Sequence, residues 1–217
     1  MNKLRLLFSK TGRAVYISHL DLMRTLTRAF LRAECRIKYS EGFNPHPNIS
    51  IALPLSVGTE SVCEILDFRL ISDMEPGDVL DRLSKQLPEG IEALEVYESA
   101  RKVKELKWLK VRGVFDTADT EKVLPRLCEF YSRDSIVISK KTKRGTGDSD
   151  IKPAIKEIAF ALDGGDIRLD AVISAQEPTL NPELLAEALR QLCPEIAPDF
   201  AKFRRIEIFD ENMRVFR

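Results

Sequence analysis

The sequence predicts an α+β protein of two tandem ferredoxin-like units, each a split β-α-β arrangement with an antiparallel sheet. Two observations predict this fold class. The order strand, helix, strands, helix, strand occurs twice, and equivalent elements lie about 104–112 residues apart. Helices that cover one face of a mostly antiparallel sheet form an α+β layer, and the split β-α-β unit is a recurrent form of it.

The first predicted unit covers residues 1–99. It begins with a strand that ends at the turn Lys10-Thr11-Gly12. A helix follows from Ser18 to about residue 33, because apolar residues recur on one face at helical spacing. The remaining elements are strands near 36–40, 49–53 and 62–70, a helix at 76–87 that starts with proline, and a strand at 91–97.

The second predicted unit covers residues 106–217 and repeats this order. Its elements are strands at 108–115, 135–139, 155–162, 166–174 and 203–209, with helices at 119–131 and 182–192. The sequence Asp-Gly-Gly-Asp at 163–166 is typical of a tight hairpin turn. Asn181 stands where a helix N-cap is expected.

Composition restricts the classes of function. The sequence has no apolar run near the roughly 18 residues of a membrane span, so we expect no membrane association. The four cysteines, Cys35, Cys63, Cys128 and Cys193, form no CxxC pair, which argues against zinc ribbons and cysteine-ligated clusters. We therefore expect a cytoplasmic protein without a bound cofactor.

Charge is distributed unevenly although the net charge is zero. Residues 1–50 carry nine Lys/Arg against three Asp/Glu, whereas residues 51–100 carry three against eleven. Residues 101–150 are again basic, with thirteen against eight. Such alternation predicts local basic surfaces that could bind a polyanion, although solvated faces of mixed charge give the same pattern.

Residues 16–61 contain both histidines of the chain, His19 and His46, and are the best candidate for a site. Ser18-His19-Leu20-Asp21 fits a capping box, in which Ser18 caps the helix and Asp21 stands at the third helical position. His19 would then lie at the first helical position, where exposed N–H groups favour anions. We interpret Ser18 and Asp21 as helix-initiating and His19 as a candidate anion-binding residue.

Three arginines, Arg24, Arg28 and Arg32, recur at every fourth position of the first helix. They form a row about 12 Å long, which we call the arginine ridge. Like charges at this spacing repel by a few tenths of a kcal/mol per pair, so a polyanionic partner is plausible. The alternative is that they pair with the acidic residues of 60–98. Further cations could extend this surface: Lys10, Arg13, Arg36 and Lys38.

The segment 40–47, Ser-Glu-Gly-Phe-Asn-Pro-His-Pro, is the second feature, and we call it the proline loop. Its two prolines bias the preceding residues, Asn44 and His46, towards extended geometry. A stiffly held imidazole beside Phe43 suits base stacking or proton transfer. The alternative is a rigid connection whose histidine only bonds a carbonyl. We expect the arginine ridge and the proline loop to line one concave cationic surface.

The second unit has a basic segment at a corresponding point of its topology, residues 140–147. Its cations and glycines could bind phosphate groups through side chains and free N–H groups. The candidates are Lys141, Lys143 and Arg144. A solvated, flexible loop has the same composition.

Two further interpretations, one catalytic and one metal-binding, are weaker. His19 and His46 could form an acid–base pair for RNA cleavage if they converge. His19, Asp21 and His46 are possible metal ligands by type but lack a recognisable spacing. The chain contains no GxGxxG, Walker A or GxSxG motif.

Residues YISHLDLMR, the segment RAFLRAECRIKYSEGFNPHPNISIALPLSVGTES and EILDFRL closely resemble the radical SAM-linked protein family. These are bacterial domains of unknown function found beside, or fused to, radical S-adenosylmethionine proteins. The resemblance is strongest over residues 3–98. The chain has no CxxxCxxC motif, so the resemblance implies that the iron–sulfur cluster belongs to a separate radical SAM enzyme.

The predicted pair of ferredoxin-like units is also similar to the CRISPR repeat-processing endonucleases. Those enzymes carry a glycine-rich loop near the C-terminus, which has no counterpart here because residues 200–217 contain no glycine. We therefore expect a non-catalytic RNA-binding or substrate-presenting partner of a radical SAM enzyme. The alternatives are a histidine-dependent nuclease or hydrolase, and a protein–protein adaptor that binds no nucleic acid.

Overall fold

The computed structural model describes residues 3–142 and 145–217, with the side chains of residues 141, 142 and 146 outside the description. The chain has a mixed α+β fold made of helices and antiparallel sheets. It divides into two compact units, the first ending at Glu105 and the second comprising Leu106–Phe216. No helix in the described ranges is long and apolar enough to cross a membrane.

The first unit has the predicted ferredoxin-like topology, with neighbouring strands in the order β4-β1-β3-β2, all antiparallel. The elements are β1 (Leu4–Lys10), α1 (His19–Arg32), β2 (Ile49–Ile51), β3 (Glu60–Phe68), α2 (Pro76–Ser84) and β4 (Ile91–Glu98). A short 3-10 helix, Gly12–Tyr16, joins β1 to α1. The predicted strand at 36–40 is reduced to isolated bridges, Ile37 to Leu70 and Tyr39 to Pro47.

The core of the first unit lies between one face of this sheet and the helices. α1 contributes Leu22, Leu26, Ala29 and Phe30, which recur on one helical face as the sequence predicts. Phe30 packs against Phe68 of β3 with ring centroids 4.8 Å apart. Packing of this apolar stripe leaves the opposite face of α1, which carries the arginine ridge, exposed to solvent.

The second unit repeats the topology with one insertion. Its main sheet has the order β10-β5-β9-β8, again antiparallel. The elements are β5 (Leu106–Asp116), α3 (Thr120–Ser132), β6 (Val137–Thr142), β7 (Gly145–Asp150), β8 (Ile155–Asp163), β9 (Asp166–Ser174), α4 (Glu183–Leu192) and β10 (Phe200–Asp210). Strands β6 and β7 pair only with each other, as a hairpin inserted between α3 and β8.

Candidate functional site

The first turn of α1 is built as the capping box predicts. The Asp21 amide donates to Ser18 Oγ at 3.2 Å, and Ser18 Oγ donates to the Asp21 carboxylate at 2.8 Å. The hydrogen bond from Ser18 is the largest cause that holds the pKa of the Asp21 carboxyl below its usual value, and the hydrogen bond from Arg24 is the second. Ser18 and Asp21 are therefore helix-initiating residues, and His19 lies beside them with an exposed side chain.

The arginine ridge is exposed on α1, but its three members have different surroundings. Arg24 pairs with Asp21 of the same helix at 3.1 Å. Arg32 donates to the backbone carbonyl of Gln86 at 2.7 Å. Among the described residues, no carboxylate of the acidic segment 60–98 pairs with the ridge. The alternative that the ridge pairs directly with this segment is therefore wrong for the described residues.

Two ridge arginines line a cleft of about 290 Å³ beside α1, which we call the cationic cleft. Lys85, just past the end of α2, adds a third positive charge. None of the described lining residues is acidic; they are Thr25, Arg28, Arg32, Lys85, Gln86, Leu87 and Pro88. This arrangement suits an anionic ligand, because cations in a concave site concentrate positive potential.

A larger cleft in the first unit, about 570 Å³, has the opposite charge. Four carboxylates, those of Asp73, Glu75, Asp78 and Glu98, line it together with a single cation, Arg82. Its potential would repel a polyanion. Of these two clefts, the smaller one therefore has the lining that suits an anion.

The proline loop is closed at its base and exposed at its tip. Ser40 and His46 bond to each other twice, through Ser40 N to His46 O at 2.8 Å and His46 N to Ser40 Oγ at 2.9 Å. The Phe43 side chain is 112% exposed. Asn44 and the His46 side chain are also exposed. The base of the loop is therefore fixed by hydrogen bonds, while the aromatic ring at its tip is exposed to solvent.

His19 lies at the end of the first sheet where β1 finishes. Lys10, the last residue of β1, donates through Nζ to the carbonyls of Val15 and Ile17, each at 3.2 Å. Ile17 precedes His19 by two residues. These bonds hold the start of α1 at the Lys10 end of the strand.

His46 lies towards the other end. The loop leads directly into β2, where Ile49 is paired with Phe68 of β3. Phe68 is in turn opposite Leu4, the first residue of β1. The loop is therefore attached at the Leu4 end of the sheet.

The two histidines are consequently not a catalytic pair. Leu4 and Lys10 are six residues apart on an extended strand, which separates the two ends by about 20 Å. His19 and His46 lie towards these opposite ends, too far apart for an acid–base pair. No group of three His, Cys, Asp or Glu within the described residues is arranged to hold a metal, so His19, Asp21 and His46 do not form a metal site.

That the arginine ridge and the proline loop line a single surface stays a prediction. The cationic cleft lies against residues 85–88, which lead into β4 at one edge of the first sheet. The proline loop leads into β2 at the other edge. The first unit thus has two candidate sites, the cationic cleft and the proline loop.

Lys10 does not extend either surface. It is 1% exposed, and burial lowers the pKa of its ammonium group while the nearby Glu64 raises it. Its hydrogen bonds to two carbonyls give it a structural role at the start of α1. Arg13 and Lys38, by contrast, are exposed as predicted.

The predicted basic loop of the second unit belongs to the β6–β7 hairpin. Strand pairing continues to Thr142 and resumes at Gly145, so the connection is shorter than the predicted loop of residues 140–147. Lys143 and Arg144 lie outside the described residues, as does the side chain of Lys141. Their proposed role in phosphate binding stays a prediction.

Sequence reasoning missed Lys85 and Arg69. Lys85 reaches the cationic cleft because the chain returns past α1 after α2, a long-range contact without a local signal. Arg69 follows β3 and is exposed between two buried neighbours, Phe68 and Leu70. Alternation could not have identified Arg69 as a surface cation, because the residues that precede it on the same face of β3, Cys63, Ile65 and Asp67, are buried.

Comparisons with solved structures gave distant matches. One match is a chain of a Cbf5–Nop10–Gar1 complex, with 11% identity and a TM-score of 0.49 over 96% of this chain and 50% of that chain. This chain thus spans about half the length of that protein. A second is described as an unknown protein from Galdieria sulphuraria, with 9% identity and a TM-score of 0.29 over 94% of this chain and 98% of that chain.

A comparison with curated proteins gave no match. A comparison with protein families matched residues 3–182, which include α1, the proline loop and most of the second unit. The matched family is described as an uncharacterized protein conserved in bacteria (DUF2344). The match covers well over half of the chain, and the protein belongs to this family.

Proposed function

We propose that the protein is a cytoplasmic, non-catalytic RNA-binding partner that presents substrate to a radical SAM enzyme acting on RNA or a ribosomal component. The cationic cleft is the observation that carries the RNA-binding part. Arg28, Arg32 and Lys85 line a common concavity, and the described part of its lining contains no carboxylate. A nucleic-acid backbone is the common cellular ligand with closely spaced negative charges.

The geometry of the ridge supports phosphate rather than carboxylate recognition in this cleft. Arg28 and Arg32 are one helical turn apart, about 6 Å along α1. Successive phosphates of a nucleic acid are spaced on a similar scale, so two guanidinium groups can contact neighbouring phosphates. Arg24, which already pairs with Asp21, would contribute less.

The radical SAM partnership is supported by the resemblance of the motifs SHLD and GFNPHP to radical SAM-linked proteins. In this proposal the partner supplies the cluster and the reaction, and this chain supplies affinity for the RNA. The exposed Phe43 and His46 would contact the substrate, while Lys38 and the basic residues Lys141, Lys143 and Arg144 would add phosphate contacts. No residue of this chain is assigned a catalytic step.

Binding to a structured RNA, followed by fluorescence anisotropy between about 50 and 200 mM salt, tests the proposal. We expect affinity to fall steeply with salt. Arg28→Ala should weaken binding at low salt and lower the slope of log K against log salt by about 0.9 for each phosphate that the protein no longer neutralises. The matched control is Arg126→Ala on α3, an exposed arginine that pairs with Glu195.

Two outcomes would contradict the proposal. One is salt-independent binding or no binding at micromolar protein. The other is an equal effect of Arg28→Ala and Arg126→Ala on the slope. Capture of a radical SAM enzyme that survives nuclease treatment, without any RNA binding, would identify a protein–protein adaptor instead.

A further inference from the structure

The base of the proline loop carries a second cluster of cations that neither the ridge nor the cleft includes. Ile37 and Leu70 form an antiparallel bridge, which places Lys38 opposite Arg69. The backbone confirms this register, since Lys38 N donates to Arg69 O at 2.8 Å. Side chains directly opposite in an antiparallel pair have Cβ atoms about 4.5–5.5 Å apart, so two positive charges are held side by side.

A third cation belongs to the same group. Arg36 precedes Lys38 by two residues, and Ile71 N donates to Arg36 O at 2.8 Å, which continues the register. Arg36, Lys38 and Arg69 are all exposed, whereas Ile37 and Leu70 between them are buried. The alternation places the cations on the face away from the core. Among the described residues, no carboxylate pairs with any of the three.

Like charges opposite each other destabilise a strand pair. An anion bound between Lys38 and Arg69 would relieve this repulsion. Arg69 also lines a cleft of about 320 Å³, together with the polar residues Asn48 and Ser50. The acid in this lining, Asp67, is already engaged by Arg5 at 2.7 Å and by Lys3. Its charge is therefore largely compensated, and the lining can accept an anion.

Above these cations, the loop presents Phe43 with no packing against the core. Burial of a phenylalanine side chain stabilises the folded state by about 1.5–3 kcal/mol, and the exposed Phe43 does not provide this stabilisation. The double hydrogen bond between Ser40 and His46 closes the loop beneath the ring. Glu41 is the one acid of the loop and is exposed, so the aromatic tip stands over a net positive base.

We propose that the proline loop and its basal cations bind an unpaired nucleotide of single-stranded RNA. Phe43 stacks on the base, and Lys38 and Arg69 contact the adjoining phosphates. Stacking requires an accessible π-face, which a base inside a duplex does not offer. This inference rests on the proposed RNA-binding function and adds to it the class of RNA, a strand with unpaired bases.

The test compares a short unstructured RNA with a duplex RNA of the same length, using Phe43→Ala. We expect affinity for the single strand to fall between about 5-fold and about 150-fold, which is the range for loss of one base–aromatic stack. Affinity for the duplex should stay unchanged. Because Phe43 is fully exposed, the substitution removes no core contact.

Two further variants sharpen the comparison. Phe43→Trp should restore single-strand binding, and its added tryptophan fluorescence should be quenched by the RNA; the wild-type chain, with Trp108 alone, gives the background signal. Tyr16→Ala removes another exposed aromatic, 73% exposed, at the opposite end of the sheet and should change neither affinity.

The outcomes separate this inference from the proposed function. If Phe43→Ala leaves single-strand affinity unchanged, or weakens both RNAs equally, the nucleotide site is wrong while RNA binding stands. If the wild-type protein binds neither RNA, both the inference and the proposed function are wrong.

Discussion

At the scale of single residues, the charge in the first unit that matters most for stability is the buried guanidinium group of Arg5. Arg5 is 0% exposed and lies opposite Asp67 in the pairing of β1 with β3. Arg5 Nε and Nη2 contact the two carboxylate oxygens at 2.7 and 3.3 Å, and Nη2 also donates to the Arg101 carbonyl at 3.0 Å. Removal of one partner would leave the other charge desolvated.

We therefore predict that Arg5→Met lowers the free energy of unfolding by about 3–5 kcal/mol. The physical reason is that Asp67 then keeps, among the described residues, only Lys3 as a charged partner. Urea denaturation followed by circular dichroism measures the change. Lys3→Ala is the control, and it should cost less than about 1 kcal/mol because Lys3 is partly exposed. Equal losses for the two variants would argue against the buried pair.

Residue roles were only partly predictable from the sequence. The cap at Ser18 was recognisable because capping depends on residues three positions apart. Lys10 was misplaced because nothing local shows that the carbonyls of Val15 and Ile17 turn back to cover it. All seven residues of β1 are buried, so the alternation that marks a surface cation is absent there.

At the scale of elements, one glycine controls how β1, the 3-10 helix and β4 meet. Gly90 has φ +85°, and Thr11 N donates to its carbonyl at 2.8 Å. A Cβ at this position would lie 2.5 Å from the Thr11 carbonyl oxygen and 2.9 Å from the Ala14 Cβ. Glycine is required here both by the backbone conformation and by the close approach.

Gly90→Ala should accordingly destabilise the protein by more than about 1 kcal/mol. Gly77→Ala is a matched control, since it lies within α2 and its Cβ would meet nothing within 4 Å. That control should be neutral or stabilising by up to roughly 1 kcal/mol. Thermal unfolding of both variants measures the difference, and similar melting temperatures would contradict the close contact.

Elements with strong periodicity were predicted well, and weakly patterned ones were not. The helix α1 and the strands β8 and β9 lie close to their predicted positions. Strand β7, Gly145–Asp150, was missed because its sequence, GTGDSD, has no apolar side chain and little β-propensity. Pairing with β6 overrides that propensity, and no single-sequence pattern reports such pairing.

At the scale of the whole molecule, zero net charge means that any affinity for RNA must come from local clusters. The sequence predicted the fold class because the order of elements recurs in both halves of the chain. It could not predict that the cationic cleft lies against the segment that leads into β4, whereas the proline loop leads into β2. That arrangement follows from strand order, which the spacing of motifs does not contain.

The cationic cleft and the basic segment at residues 140–147 should each contribute to RNA binding. We predict that neutralising the cleft (Arg28→Gln, Arg32→Gln, Lys85→Gln) and the hairpin (Lys140→Gln, Lys141→Gln, Lys143→Gln, Arg144→Gln) each lowers the salt slope. The expected change is about 0.7–0.9 for each cation that contacts a phosphate.

The control for these sets is Arg112→Gln, because Arg112 already pairs with Asp170 at 2.8 Å. An unchanged slope for the hairpin set would remove Lys141, Lys143 and Arg144 from the binding surface. An unchanged slope for the cleft set would show that the cationic cleft does not bind phosphate and would contradict the proposed function.

The strand order of the first unit has a consequence during translation. Strand β1 pairs with β3 and β4, whose residues begin at Glu60 and Ile91. At about 5–20 residues per second, the ribosome releases β4 roughly 4–17 s after β1. Strand β3 is released earlier, roughly 3–12 s after β1. Until then a strand that is buried along its whole length in the fold has no native neighbour on either side, so we expect chaperones to shield this segment of the nascent chain.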